Sequence, residues 1–327
     1  MIKIIGGSGF IGTRLAKRLE QAGQSFAIID KAMSKKFSKV CQLADVRDLK
    51  ALDQTLQTND TIINLAAEHR DDVSPKSLYD QVNVDGAKNV CQVAEAKAIN
   101  TIIFTSSVAV YGFAPIETDE NGTINYFNDY GRTKYQAEQI YRAWQKKDPD
   151  HRKLVIIRPT VVFGEQNRGN VYNLLRQIAS GKFIMIGNGK NRKSMAYVEN
   201  VAAFLEYCLT FKPGVHTYNY IDKPDFDMNT LVSKVNHILG KETKMKMRMP
   251  FVLGYGIGKV FDGIGKVTKK KFTVSSIRVK KFCSDSLFAT SVAESGFQPP
   301  VPLETGLENT IRYEFIEKHE DELFYTE

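Results

Sequence analysis

The chain opens on an apolar run, Met1-Ile2-Lys3-Ile4-Ile5, that passes directly into Gly6-Gly7-Ser8-Gly9-Phe10-Ile11-Gly12. Gly6, Gly9 and Gly12 keep a G-x-x-G-x-x-G spacing between a predicted strand and a predicted helix. Glycine permits the tight turn, lets backbone N–H groups approach a pyrophosphate, and lets the helix pack close to the strand. The helix N-terminus then faces the phosphates. A dinucleotide fits this loop, with Phe10 and Ile11 at the helix start among its contacts. Asp30 closes the second predicted strand, where a carboxylate can accept both adenosine ribose hydroxyls and repel a 2′-phosphate. NAD is therefore expected over NADP, although Lys31, Lys35 and Lys36 can blunt the repulsion. Asp45 and Val46, after the third strand, suit the adenine rim.

Short β-rich runs alternate with helical patterns through the first half. Strands are predicted at Ile2–Ile5, Phe26–Asp30, Thr61–Leu65, Thr101–Thr105 and Leu154–Arg158, and helices at Ile11–Ala22, Leu78–Ala98 and Tyr130–Lys147. This alternation implies an α/β fold with a doubly wound parallel sheet, its strands apolar because both faces are covered. After about Arg158 the pattern loosens into a smaller mixed α/β lobe. The expected division is 1–165 for the dinucleotide-binding domain and 166–327 for a substrate lobe, with the chain free to cross back. Gln298-Pro299-Pro300-Val301-Pro302 makes a stiff connector before a last helix, Leu303 to Lys318.

Composition excludes several classes. With 43% hydrophobic and 25% charged residues the 327-residue chain is neither disordered nor fibrous. No apolar run approaches the ~20 residues of a bilayer span. The glycine loop begins too early to leave room for a signal peptide. The four cysteines form no CxxC pair, and neither they nor the five histidines keep a metal-ligand spacing, so no metal is expected. The net charge of +8 is concentrated: residues 241–281 hold twelve basic residues and two acidic ones, and the rest of the chain sums to −2. No nucleic-acid recognition motif accompanies this patch.

Tyr130-x-x-x-Lys134 places a phenol and an ammonium on one helix face. A free tyrosine, with a pKa of about 10, is a poor base at neutral pH. A neighbouring ammonium and the positive nicotinamide stabilise the phenolate. Ser107 ends a strand, where α/β sheets place active-site groups, and its hydroxyl can relay a sugar proton to Tyr130. Ser106 is the less favoured serine.

Glycine loop, strand-end serine and Tyr/Lys helix, in that order, resemble an extended short-chain dehydrogenase/reductase of the sugar epimerase/dehydratase superfamily. The resemblance covers nearly the whole chain. It implies a Rossmann-like fold, tightly held NAD that takes and returns a hydride, catalysis by Ser107, Tyr130 and Lys134, and a homodimer. Ala66, Tyr130 and Lys134 join the NAD contacts, and His69 is placed near the nicotinamide and sugar. Dehydratases of the family follow the hydroxyl residue with Asp-Glu; here Val108 and Ala109 cannot move protons, which favours 4-epimerisation through a 4-keto sugar.

Four phrases narrow the resemblance: Ala66 to Pro75, Arg168 to Leu175, Lys193 to Val198 and Val274 to Phe282. They resemble a bacterial subgroup that interconverts GlcNAc and GalNAc while the sugar is attached to undecaprenyl diphosphate, for surface polysaccharide such as O-antigen. Soluble UDP-sugar epimerases carry Arg-Asp ahead of a Val-x-Asp and an Arg-Pro-Gly-Asp stretch; here stand Lys193-Ser194, Val198-Glu199-Asn200 and Arg278-Val279-Lys280-Lys281. The resemblance places Lys193, Arg278 and Asn173 at the substrate diphosphate. Within the basic stretch 249–281, Leu253, Ile257, Val260, Phe261, Ile264 and Val267 fall on one helical face, with Lys259, Asp262, Lys266, Lys269 and Lys270 behind. Such a helix can lie in a membrane interface, here the inner face of the cytoplasmic membrane, or pack its apolar face on its own lobe. The rival functions are a UDP-GlcNAc 4-epimerase and a catalytically idle NAD-binding sensor.

Overall fold

The computed structural model describes residues 1–70, 73–242, 247–268 and 275–325, without the side chains of 265–267. Asp71, Asp72, Lys244, Lys246, Lys269, Lys270, Lys271 and Val274, and the side chains of Lys266 and Val267, lie outside what is described.

The first half runs β1 (Ile2–Ile5), α1 (Phe10–Gln21), β2 (Phe26–Asp30), β3 (Cys41–Leu43), α2 (Leu49–Thr55), β4 (Thr61–Asn64), α3 (Ser77–Tyr79), a π-helical turn (Asp80–Asp85), α4 (Gly86–Ala96), β5 (Thr101–Thr105), α5 (Asp129–Lys146) and β6 (Lys153–Pro159). The second runs β7 (Val161–Phe163), α6 (Asn170–Ala179), β8 (Met185–Ile186), β9 (Arg192–Tyr197), α7 (Val198–Tyr207), β10 (Gly214–Tyr220), β11 (Asp222–Asp227) and α8 (Met228–Ile238). It ends with β12 (Arg248–Met249), α9 (Phe251–Thr268), α10 (Ser276–Cys283) and α11 (Leu303–Phe315).

Seven parallel strands make one sheet in the order β10-β6-β5-β4-β1-β2-β3. The doubly wound α/β expectation holds. Leu15 and Leu19 of α1 and Val201 to Leu205 of α7 cover one face, and Val90 and Ala94 of α4 with Ala137, Tyr141 and Trp144 of α5 cover the other. The strand order reverses beside β1, between β2 and β4, so a crevice opens past the carboxyl ends of β1 and β4.

The smaller lobe has a three-stranded sheet, β11-β9-β7, packed on α6, α8 and α11. The chain does not stay there after residue 165. It returns through α7, which packs on α1, and β10, which pairs with β6 at the sheet edge. The helix expected over Leu78–Ala98 is interrupted by the π-helical turn, where buried Asn83 sends its amide out to neighbouring segments.

The amphipathic segment is a helix whose closest contacts are made by small and polar residues, with Ile257 and Phe261 of the apolar stripe half-buried and Leu253, Val260 and Ile264 exposed. Gly254, Gly258 and Asp262, spaced four apart, face the lobe. A Cβ on Gly258 would stand 2.6 Å from the Ser276 nitrogen, and one on Gly254 2.8 Å from Ile186 Cγ2. Asp262 accepts from the Ser276 N–H (3.2 Å) and hydroxyl (2.5 Å) at the start of α10. The glycines thus permit close helix approach. They leave Val252 (81% exposed), Leu253 (55%), Val260 (62%) and Ile264 (42%) facing outward.

Gly258→Leu therefore lifts α9 from α10. Because none of the named α9 residues belongs to the sheet's cores, the main unfolding transition should move by less than ~2 °C while proteolysis within 251–268 accelerates. Unchanged cleavage would contradict the glycine contact.

Candidate active site

Where β1 ends, Gly6 adopts φ +77°, a conformation that favours glycine, and its backbone lies against the Ala66 backbone after β4. A Cβ on Gly6 would meet the Ala66 nitrogen at 2.6 Å, and one on Gly12 would meet Gly7 Cα at 2.5 Å. Ala66 is fixed in turn by its N–H bond to Asn64 Oδ1 (3.0 Å). Gly9 differs: a Cβ there would meet only Gly6 O, at 3.5 Å. It is the N-cap of α1, with no side-chain cap and no acidic residue in the first turn. Free N–H groups at a helix start beside open space suit an anion.

Asp30 Oδ2 accepts from the Ser8 N–H and Oδ1 from the Ala32 N–H, both at 3.0 Å. These bonds aim the carboxylate and leave each oxygen a further lone pair for a ribose hydroxyl. Val46 is buried, packed against Gly86. Asp45 is engaged by Arg47, whose guanidinium bonds (2.7 and 3.0 Å) hold its carboxyl below the usual range. Open space over Gly9, a bare helix start and the aimed Asp30 carboxylate fit NAD.

Helix α5, which carries Tyr130 and Lys134, follows Asn128, whose side chain caps the Gly131 N–H (2.9 Å). Gly131 is needed because a Cβ would stand 2.4 Å from Ala109 O. Tyr130 and Lys134 then share one face. The Tyr130 hydroxyl hydrogen-bonds Ser107, whose oxygen also accepts from the Ala109 N–H (3.1 Å). Ser106 is buried and donates to Glu138 Oε1 (2.5 Å), away from that hydroxyl. Burial pushes the Tyr130 phenol up to about 12, against the Ser107 bond. Burial also pushes the Lys134 ammonium down to about 7, against the Glu138 charge. Lys134 sits over the Phe104 ring, 4.4 Å from its centroid.

Two supports, Glu138 and Arg158, carry no signal strong enough to single out in the sequence. Glu138, one turn beyond Lys134, is fully buried and paired with Arg158 of β6 (2.6 and 2.9 Å). Arg158 also donates to the Tyr111 hydroxyl (2.6 Å), which donates to Asn219 of β10 (2.8 Å). Tyr111 is thus a buried strut. Asn83 accepts from the Glu68 N–H and donates to Glu68 O and Thr133 Oγ1 (2.8–3.0 Å), tying the β4 exit to α5.

The expected substrate contacts are more scattered. His69 is exposed on the loop after β4, its N–H donating to the Glu68 carboxylate (3.2 Å). Asn173 lies in the first turn of α6. Lys193 does not reach outward to a diphosphate: it donates to Lys281 O (2.7 Å) and Ser284 O (2.5 Å), capping the carboxyl end of α10. Burial pushes its ammonium down to about 8. Arg278 is exposed in the first turn of the same helix.

A model of the NAD dependent epimerase/dehydratase family matches residues 2–220. The chain is 51% identical, over 99% of its length and 98% of the relative's, to the N-acetyl-alpha-D-glucosaminyl-diphospho-ditrans,octacis-undecaprenol 4-epimerase of Escherichia coli O157:H7. Among solved structures it resembles the UDP-glucuronic acid 4-epimerase of Bacillus cereus in complex with NAD, with a TM-score of 0.72 at 18% identity, covering 95% of this chain and 97% of that one. It also resembles the UDP-N-acetylglucosamine 4-epimerase of Bacillus cereus, with a TM-score of 0.74 at 16% identity over 97% and 99%.

The glycines separate folding from binding. Gly9→Ala should fold with a melting temperature within ~2 °C of the parent, yet retain at least about tenfold less NAD through purification. Gly12→Ala should lose stability outright. Full NAD content in Gly9→Ala would remove the pyrophosphate from this position.

Proposed function

Because the chain belongs to the NAD-dependent epimerase/dehydratase family, we propose that it inverts C4 of N-acetylglucosamine held on undecaprenyl diphosphate, interconverting GlcNAc and GalNAc for bacterial surface polysaccharide. The observation that carries this reading is 51% identity, end to end, with an enzyme of that name. The Ser107–Tyr130 hydrogen bond and Lys134 one turn away are the apparatus it needs.

Tyr130 takes the O4 proton as the C4 alcohol becomes a ketone, and returns it once the 4-keto sugar has turned over. Ser107 orients that hydroxyl and passes the proton on. Gly6, Gly9, Phe10, Ile11 and Gly12 hold the pyrophosphate, Asp30 the adenosine ribose, and Lys134 the nicotinamide side. When bound, NAD supplies the acceptor and donor of the C4 hydride and a positive charge beside the phenol. Burial alone favours neutral phenol and neutral amine, so a nearby positive charge acts in the direction that makes Tyr130 a base. Val108 and Ala109 offer no group for the proton transfers of water loss.

The inner membrane leaflet is where such a substrate is held, and we place α9 against it. Val252, Leu253, Val260 and Ile264 face outward on a basic segment, as in helices that lie at an anionic interface. Among the described residues no helix is long and apolar enough to cross a membrane, so this contact is peripheral.

Two experiments test these readings. Tyr130→Phe should lower GalNAc formation from GlcNAc-diphospho-undecaprenol at least about 10³-fold with NAD content unchanged. Parent-like turnover would remove Tyr130 from the mechanism, and parent turnover of UDP-GlcNAc alone would remove the lipid-linked substrate. The protein should co-sediment with anionic vesicles at low salt, and Val260→Glu with Ile264→Glu should weaken binding at least about tenfold. A parent that stays in the supernatant would remove the membrane contact.

A further inference from the structure

The loop from Gly112 to Phe127 connects the Ser107 turn to the helix that carries Tyr130, and its base is firmly held. The Asn125 N–H donates to Val110 O (3.1 Å), the Glu117 N–H to Leu287 O (2.9 Å) and the Ala289 N–H to Thr118 O (3.1 Å). Beneath it Val110, Tyr111, Ile221 and Phe288 form a small core, with Ala114 and Ile124 packed on them. The loop therefore has an apolar interior of its own. Phe113, Ile116, Tyr126 and Phe127 stay outside it, with 42–58% of their surface in water.

Single exposed apolar side chains are ordinary. Here four fall within fifteen residues, and they are organised. The Phe113 and Phe127 rings touch, with centroids 5.0 Å apart. The Lys281 ammonium sits 4.1 Å from the Phe127 centroid, a cation held against an aromatic ring. A Cβ on Gly131 would stand 3.1 Å from Tyr126 Cβ, so Tyr126 packs against the first turn of α5, the turn that also carries Tyr130, and its ring lies 6.5 Å from that of Tyr135. The patch lies on the segment that joins Ser107 to Tyr130.

Its chemistry restricts what covers it. Of the four side chains only Tyr126 has a hydrogen-bonding atom, which suits hydrocarbon better than a pyrimidine with carbonyls and an N–H to satisfy. Beside it, α10 presents Arg278, Lys280 and Lys281, and half-buried Lys193 holds the carboxyl end of that helix in place. The same helix packs on α9 through Ser276. It therefore touches both the outward apolar helix and the aromatic rim. The occupant must be apolar, must carry an anion next to its apolar part, and must lead to a sugar at Tyr130.

Resting on the lipid-linked reading above, we propose that the Phe113–Phe127 pair, flanked by Ile116 and Tyr126, seats the first isoprene units of the carrier, with the diphosphate beside Lys281. The rim is then a subsite for the carrier rather than for the sugar, and it selects substrates by the hydrocarbon that follows the diphosphate.

The test uses the full chain with two water-soluble substrates, GlcNAc-diphospho-farnesyl and GlcNAc-diphospho-methyl, so that membrane docking plays no part. The parent should show a KM at least about tenfold lower for the farnesyl compound. Phe113→Ser with Phe127→Ser should erase most of that difference by raising KM for the farnesyl compound, leaving KM for the methyl compound and kcat for both within twofold. Phe127→Leu should restore part of it. NAD content and melting temperature report folding. A double variant whose two KM values rise together, or whose farnesyl KM does not move, overturns the rim while the lipid-linked reading stands. A parent that turns over UDP-GlcNAc and neither diphosphate overturns both.

Discussion

The buried pair Glu138–Arg158 ties the helix that carries Tyr130 to the strands beside the Ser107 turn. Glu138 belongs to the helix that carries Tyr130 and Lys134, and Arg158 to the strand beside the one that ends at Ser106 and Ser107. Both guanidinium–carboxylate bonds are short, Ser106 fills a further position on the carboxylate, and Tyr111 passes the network to Asn219 on the returning strand. A buried ion pair adds little net stability over a well-packed apolar pair, but removing one partner strands the other charge at a cost of about 3–5 kcal/mol. Its value here is register. A carboxylate bonded by both Ser106 and Arg158 permits one rotation and one height of α5 against the sheet, and Tyr130 then meets Ser107.

That register also sets the electrostatics. Tyr130 and Lys134 lie one turn apart in a poorly solvated place, where burial raises the phenol and lowers the ammonium. Glu138, one turn further on, partly restores the charge on Lys134. Its own charge is chiefly engaged by Arg158, so the site gains a cation without a competing base next to the phenol. A site built from two groups held near neutrality responds strongly to the charge that arrives with the cofactor, since Coulomb interactions are larger where water is excluded.

Much of this was legible in the sequence. The ranges expected for β1, β2 and β5 coincide with the strands that form, because central parallel strands are apolar throughout and end at glycine, aspartate or serine. The cradle residues Gly6, Gly9, Gly12 and Asp30 and the Ser107/Tyr130/Lys134 group stood out through spacing. What was hidden has specific reasons. Strand β10 contains His216, Thr217 and Asn219 and lies at the sheet edge, so it lacks the apolar signature of its neighbours. Glu138 and Arg158 carry no mark of their pairing in the sequence, because only the fold brings them together. Lys193 resembles an outward-facing cation, and only the carbonyls of Lys281 and Ser284 reveal it as a helix cap.

Helix α9 illustrates a limit of reading amphipathicity as burial. An apolar stripe normally marks the side that packs, since burying it is the main source of helix stability in a folded protein. In α9 the packing side is instead set by Gly254, Gly258 and Asp262: two glycines admit a backbone and a side chain that any Cβ would exclude, and the carboxylate caps the next helix. Close approach on one side leaves Val252, Leu253, Val260 and Ile264 on the other, with Ile257 and Phe261 half-buried. Glycine in a helix interior costs roughly 1 kcal/mol against alanine, and here that cost leaves Val252, Leu253, Val260 and Ile264 facing water. An arrangement that sacrifices helix propensity and keeps hydrocarbon outside is favourable only if that hydrocarbon has somewhere else to go. The proposed contact with a bilayer would provide such a place, and α10, capped by Lys193, touches both α9 and Phe127.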